Sequence, residues 1–86
     1  MDVFIPSPLH SYTGGRSRVV GAGASLAELL ADLEARFPGI RFRVVDEQDR
    51  IRPHILFYVA GKVARDLSVR ISPEDEVHIV AALSGG

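Results

Sequence analysis

The sequence contains no cysteine. That excludes disulfide staples, cysteine-ligated zinc and a thiol nucleophile, and it fits a reducing compartment, with the cytoplasm as the expected location. No apolar run approaches the ~20 residues of a membrane-spanning helix, so no membrane partner is expected. The opening residues Met1-Asp2-Val3-Phe4-Ile5-Pro6 have neither a basic stretch nor a long apolar one, so no signal peptide is expected. A dominant charge is missing as well. A net charge of −1 gives no long-range reason to expect nucleic acid or an anionic membrane. Lysine is nearly absent: Lys62 stands alone against nine arginines, so the chain offers few acceptors for lysine-linked chains of itself.

Catalytic signatures are lacking too. His10, His54 and His78 are the only histidines, and no two share metal-ligand spacing. They read as surface or strand histidines, and no metal is expected. Gly21-Ala22-Gly23 lacks the third glycine of a dinucleotide fingerprint and reads as a turn. Serine, histidine and aspartate are all present, but nothing suggests a nucleophile elbow. No catalytic residue is assigned and no bound cofactor is expected.

What remains is enough for one small domain. The 86 residues are 47% apolar, the content of a globular chain rather than a disordered one. The clearest segment runs from about residue 25 to 37. Leu26, Leu29, Leu30, Leu33 and Phe37 recur at helical spacing and form one apolar stripe, with Glu28, Asp32, Glu34 and Arg36 off it. Ser25 with Glu28 three residues on is a capping box. Pro38-Gly39 stops the helix.

The remainder favours strands. Val3-Phe4-Ile5 is a short strand stopped by Pro6 and Pro8. Leu9 to Thr13 reads as a loop or strand end, Gly14-Gly15 as a turn, and Arg16 to Val20 as the second arm of a hairpin broken by Gly21 and Gly23. Ile40 to Arg52 reads as a loop with at most a short strand or helical turn. His54 to Val59 is an apolar strand, and Ala60-Gly61 turns it into a short arm at Lys62-Val63-Ala64. Asp66 to Ser72 is irregular, Pro73 to Glu76 is a turn, and Val77 to Ala81 is the last strand, expected at the centre of the sheet. The expected fold is α+β: a mixed sheet of four to five strands over one main helix. A strand-helix-strand connection within it would be right-handed. A ferredoxin-like arrangement would need a second helix near residues 62–76, and Pro73 argues against one.

The domain is expected over residues 1–82, followed by a flexible tail, Leu83-Ser84-Gly85-Gly86. Four extended residues reach roughly 13 Å. Two terminal glycines put no side chain beside the final carboxylate, so the stalk can enter a narrow channel; the alternative is a frayed terminus. Alternation along the strands turns Ile55, Phe57, Val59, Val77 and Ile79 inward. It turns Leu56, Tyr58, His78 and Val80 outward. With Phe4, the residues Leu56, Tyr58 and Val80 would form an apolar docking patch beside the tail, or else a strand buried on both faces. Arg41, Arg43, Arg50 and Arg52, interleaved with Asp46, Glu47 and Asp49, form either a solvated loop or a contact for an acidic partner. Nucleic acid is not an expected partner.

The element order, the length and the terminal Gly-Gly resemble the β-grasp, ubiquitin-like sulfur carriers of the MoaD/ThiS family. The resemblance covers nearly the whole chain. It is strongest at Ser25-Leu26-Ala27-Glu28-Leu29-Leu30 with Phe37-Pro38-Gly39, at Ile51-Arg52-Pro53-His54, and from Asp75 through Val80 to Gly86. Ile5-Pro6-Ser7-Pro8-Leu9 with Tyr12-Thr13-Gly14-Gly15 is most similar to the CysO-like branch, which carries sulfur for cysteine biosynthesis. Three positions depart from many relatives. Ala60-Gly61-Lys62 replaces an Asn-Gly turn followed by an acid, Leu56 replaces an asparagine, and Pro73-Glu74-Asp75-Glu76 replaces Asp-Gly-Asp-Glu.

The resemblance implies that an E1-like (MoeB/ThiF-type) activating enzyme uses ATP to adenylate the Gly86 carboxylate. Sulfur then displaces the adenylate to leave a thiocarboxylate, which a downstream enzyme such as a cysteine synthase consumes. Gly85 and Gly86 would carry the reaction, with Ser84 and Leu83 as the stalk. The chain would be a co-substrate rather than an enzyme. The alternatives are a protein modifier conjugated through Gly86, a carrier of the molybdopterin-synthase small-subunit type, and a small binding module with an irrelevant tail.

Overall fold

The leucine stripe builds the longest helix of the structure, a computed structural model that describes residues 1–82. Helix α1 spans Leu26–Arg36, and Leu26, Leu29, Leu30 and Leu33 are all buried on one side of it. Burying each such side chain contributes roughly 1.5–3 kcal/mol, which is what holds the helix to the sheet. Ser25 caps it: its hydroxyl accepts the Glu28 N–H at 3.2 Å. The Glu28 carboxylate reaches back to the N–H of Ala24, one residue before the cap, so the expected box closes with a one-residue offset. Two further first-turn N–H groups, of Leu26 and Ala27, donate to the carbonyls of Val69 and Leu67 at 3.0 Å. The irregular stretch after residue 65 thus satisfies donors that a helix cannot satisfy itself. Phe37 ends the stripe as the C-cap residue rather than as part of the helix.

Five strands form one sheet: β1 (Asp2–Phe4), β2 (Arg18–Val20), β3 (Ile55–Val59), β4 (Lys62–Ala64) and β5 (Val77–Ala81). Their order is β2-β1-β5-β3-β4. The last strand is therefore central, parallel to β1 and antiparallel to β3. Val3, Ile55, Phe57, Val59, Val77 and Ile79 face α1 and are buried, as the alternation requires. This is the β-grasp arrangement, a mixed sheet over one main helix.

Two segments are more ordered than the sequence reading gave them. Residues Ser7–Tyr12 form a 3-10 turn rather than a loop or strand end. Pro8 fits its first turn, where a missing N–H costs nothing. Buried Leu9 and Thr13 pin the turn, and the Thr13 hydroxyl donates to the Arg16 carbonyl at 2.8 Å. The hairpin arm is correspondingly shorter, though Ile5 N–H still bonds the Ser17 carbonyl. The second segment is a five-residue helix, α2 (Ile40–Val44), followed by a bridge between Val45 and Ile51. Its charged side chains concealed the fact that Ile40, Val44 and Val45 are all buried. Gly39 leads into α2 at φ 96°, a left-handed conformation that glycine adopts without strain.

Two backbone positions give opposite stability predictions. A Cβ on Gly23 would sit 2.6 Å from Leu29 N and 2.9 Å from Glu28 C, both backbone atoms of α1. Gly23→Ala should therefore destabilise the protein by about 1–3 kcal/mol. Ala60 and Gly61 both have positive φ, 50° and 83°, as a type I′ turn between β3 and β4 demands. Alanine is strained there, so Ala60→Asn should stabilise by roughly 0.5–1 kcal/mol. Urea denaturation midpoints of the two variants should move in opposite directions; movement the same way would contradict this account.

Candidate functional site

The site is built on the sheet face away from α1. Register places Phe4 beside His78, His78 beside Tyr58, and Leu56 beside Val80. The Phe4 and His78 rings stack, with centroids 4.3 Å apart and planes 7° from parallel. His78 Nε2 also lies 3.3 Å from Glu76 Oε1. Leu56 and Val80 are each 39% exposed, while Phe4, Tyr58 and His78 are half-buried against one another. All four residues expected in the docking patch thus lie on one face, on three adjacent strands. The patch ends at Ala82, whose N–H bonds the His54 carbonyl at 2.8 Å. Leu83, Ser84, Gly85 and Gly86 lie outside the described residues.

His78 is the patch residue that sequence reasoning passed over. Its outward phase was legible. Its stacking depends on the parallel pairing of β1 with β5, which no local pattern reveals. Val63, 47% exposed, sits beside Tyr58 on the edge strand, a pairing that the Ala60-Gly61 hairpin turn already implied.

A second feature lies where β5 ends. An open cleft of about 520 Å³ forms between the 3-10 turn, α2 and the ends of β3 and β5. Buried Leu9 and Ile55, with Ala81, form its floor; exposed Phe42, Arg43 and His54, with half-buried Arg52, stand around it, and Pro8 and Ala82 complete the lining. The four arginines weighed together in the sequence are separated here. Arg41 pairs with Asp49 away from the cleft, and Arg50 is exposed, its N–H donating to Asp46. Only Arg43 and Arg52 line the cleft.

Helix α2 is held by Glu34, whose carboxylate accepts the Gly39 N–H at 2.8 Å and the Arg41 N–H at 2.9 Å. Among the described residues no three histidine, aspartate or glutamate side chains are grouped to hold a metal. His10 Nε2 lies 2.9 Å from the Ile5 carbonyl, in the turn, far in sequence from His54 and His78. No described helix is long and apolar enough to cross a membrane.

A β-grasp domain with an apolar outer face, whose central last strand is followed in sequence by Gly85-Gly86, defines the class of ubiquitin-like carriers and modifiers. The ThiS family model matches residues 3–86, and the chain belongs to that family. It is 34% identical to the sulfur carrier protein CysO of Mycobacterium tuberculosis, over all of this chain and 98% of that one. The fold superimposes on CysO of Amycolatopsis orientalis, solved in complex with BexX, with a TM-score of 0.92. That match has 33% identity and covers 99% and 98% of the two chains. Small archaeal modifier protein 1 of Haloferax volcanii matches with a TM-score of 0.77 and 26% identity, over 100% and 98% of the chains.

The hydrogen bonds to Glu34 give a pH prediction. The Gly39 N–H first, then the Arg41 N–H and the Arg41 charge, hold the Glu34 carboxyl below its ordinary value of 4.5. A carboxylate depressed in the folded state contributes stability above its ordinary value and loses it as pH falls through the folded one. Stability should therefore decline below about pH 4.5, and Glu34→Gln should flatten part of that decline. Asp46 and Asp66, lowered in the same direction, keep the remainder. Urea midpoints of parent and variant between neutral and acidic pH measure this; parallel curves would contradict it.

Proposed function

We propose that this chain is a sulfur carrier whose Gly86 carboxylate is adenylated, converted to a thiocarboxylate and spent as a sulfur donor. The observation that carries the reading is whole-length similarity to CysO, on a fold whose central strand leads to Gly85-Gly86. The chemistry explains why no catalytic side chain is needed. A carboxylate is a poor electrophile until one oxygen becomes part of a good leaving group. An E1-like (MoeB/ThiF-type) enzyme supplies that group from ATP, releasing pyrophosphate. Sulfide displaces AMP to leave the thiocarboxylate directly; a persulfide displaces AMP to give an acyl disulfide, which a second thiol on the donor protein cleaves to the thiocarboxylate, closing a disulfide on that protein. A biosynthetic enzyme, for which a cysteine synthase is the leading candidate, bonds the sulfur to its acceptor, and water then hydrolyses the acyl linkage to return the carboxylate. The carrier provides Gly86 and Gly85 for the reaction, Ser84 and Leu83 as stalk, and Phe4, Leu56, Tyr58 and Val80 as docking surface, to which His78 is added. It binds no cofactor and acts as a co-substrate in the cytoplasm.

The modifier reading, conjugation of Gly86 to lysines on target proteins, is supported by the likeness to an archaeal modifier. The apolar outer face suits both readings, because either needs an activating enzyme.

Three variants test the carrier reading by ATP–pyrophosphate exchange with an activating enzyme that charges the parent. Deleting Gly86 draws the carboxylate back by about 3.5 Å. Since about 1 Å of misplacement can cost on the order of 10²-fold, exchange should be nearly abolished. Gly85→Ala adds a Cβ to the stalk and should slow exchange while leaving stability within about 0.5 kcal/mol. Val80→Asp should instead raise the KM for the carrier, because it places a charge in the apolar patch. A Gly86 deletion that exchanges as fast as the parent would remove the tail from the chemistry.

A further inference from the structure

We propose that the cleft at the end of β5 is a second docking surface, which takes an acidic segment of the activating enzyme. The proposal rests on the carrier reading and adds a partner chemistry to it.

The charges point that way. Arg43, Arg52 and His54 converge on the cleft, and among the described residues no carboxylate lines it. Both guanidinium groups are held in place without an acid. Arg52 lies over the Phe42 ring at 4.7 Å and its Nε donates to the Phe42 carbonyl at 2.8 Å. Arg43 lies over the Tyr12 ring at 5.9 Å. Among the described residues neither is within 4 Å of a carboxylate, whereas Arg36 and Arg41 pair with Asp32 and Asp49. Asp46 does feel the charge of Arg52, but its carboxylate is occupied by the N–H groups of Gln48 and Arg50. Guanidinium groups pre-set by aromatic rings lose little freedom on meeting a carboxylate and can grip it with two parallel bonds.

Position supplies the second argument. Ala81 and Ala82 line the cleft, so it opens where the chain leaves the sheet. Val80 and Leu56 present the apolar patch on the opposite face of the same two strands. A channel that encloses the stalk must pass both sides of the sheet end. It meets an apolar face on one side and a cationic cleft with exposed Phe42 on the other. The cleft and the apolar patch therefore flank the same sheet end, and the segment that fits the cleft is one bearing aspartate or glutamate.

The test uses the full chain and an activating enzyme that charges it, with exchange measured against carrier, ATP and salt concentration. Arg43→Glu with Arg52→Glu should raise the KM for the carrier roughly tenfold or more at low salt, with kcat within about twofold. The penalty should shrink as salt rises. Arg52→Lys should raise the KM by less than Arg52→Glu, because it keeps the charge but loses the Phe42 stack and the two-bond grip. His54→Glu, at an exposed side chain, should reproduce the effect without touching either aromatic stack, which guards against a folding artefact. An unchanged KM and salt dependence in the charge-reversed variants would overturn the proposal. So would a change confined to the KM for ATP, which would assign the cleft to the nucleotide. A lowered KM for the carrier would also overturn it, because the cleft would then be retaining the chain's own anionic tail. A parent chain that supports no exchange would overturn the carrier reading and the cleft proposal with it, a result distinct from variants that match an active parent.

Discussion

The structure depends on the hydrogen-bonded position of one strand. Val77–Ala81 lies between β1 and β3, paired with β3 along its whole length and with β1 at Val77 and His78, and Val77 and Ile79 are buried in the core with the α1 stripe. An edge strand would leave one row of backbone groups open and could fray from its end. A central strand cannot move without breaking two ladders. The bond from Ala82 N–H to the His54 carbonyl extends the anchoring to the last described residue. The described chain therefore ends at an anchored residue. For a carrier whose working atoms are at its end, that is the fold's main mechanical contribution.

The same strand organises both surfaces around the exit. Alternation gives its inner side to the core and its outer side to His78 and Val80. His78 is stacked on Phe4 across the parallel pair, so the outer face has rigid rings rather than mobile side chains. Rigid apolar surface binds with little loss of rotamer freedom. A carrier that binds a partner protein needs such a face more than it needs catalytic groups.

Much of this was legible in the sequence. The leucine stripe, Ser25 and Pro38-Gly39 located α1, because helix period and caps are local signals. Inward and outward faces of β3 and β5 followed from alternation and match the observed burial. The expectation that Val77–Ala81 lies at the centre of the sheet matches the strand order. The misses share one cause. Leu9 and Thr13 in the 3-10 turn, and Ile40, Val44 and Val45 around α2, are buried by distant partners while their neighbours are polar or charged. The Phe4–His78 stack and the convergence of Arg43, Arg52 and His54 likewise depend on strand register and on where α2 lands. Neither is encoded within a window of sequence.

The central claim is that Gly86 carries sulfur. Its most direct measurement is the intact mass of the protein purified from its own cells under conditions that spare thiocarboxylates. The account predicts a subpopulation heavier by the difference between one sulfur and one oxygen, which disappears on deletion of Gly86. A population found only as unmodified carboxylate and as isopeptide-linked adducts on lysines of other proteins would contradict it and establish the modifier reading instead.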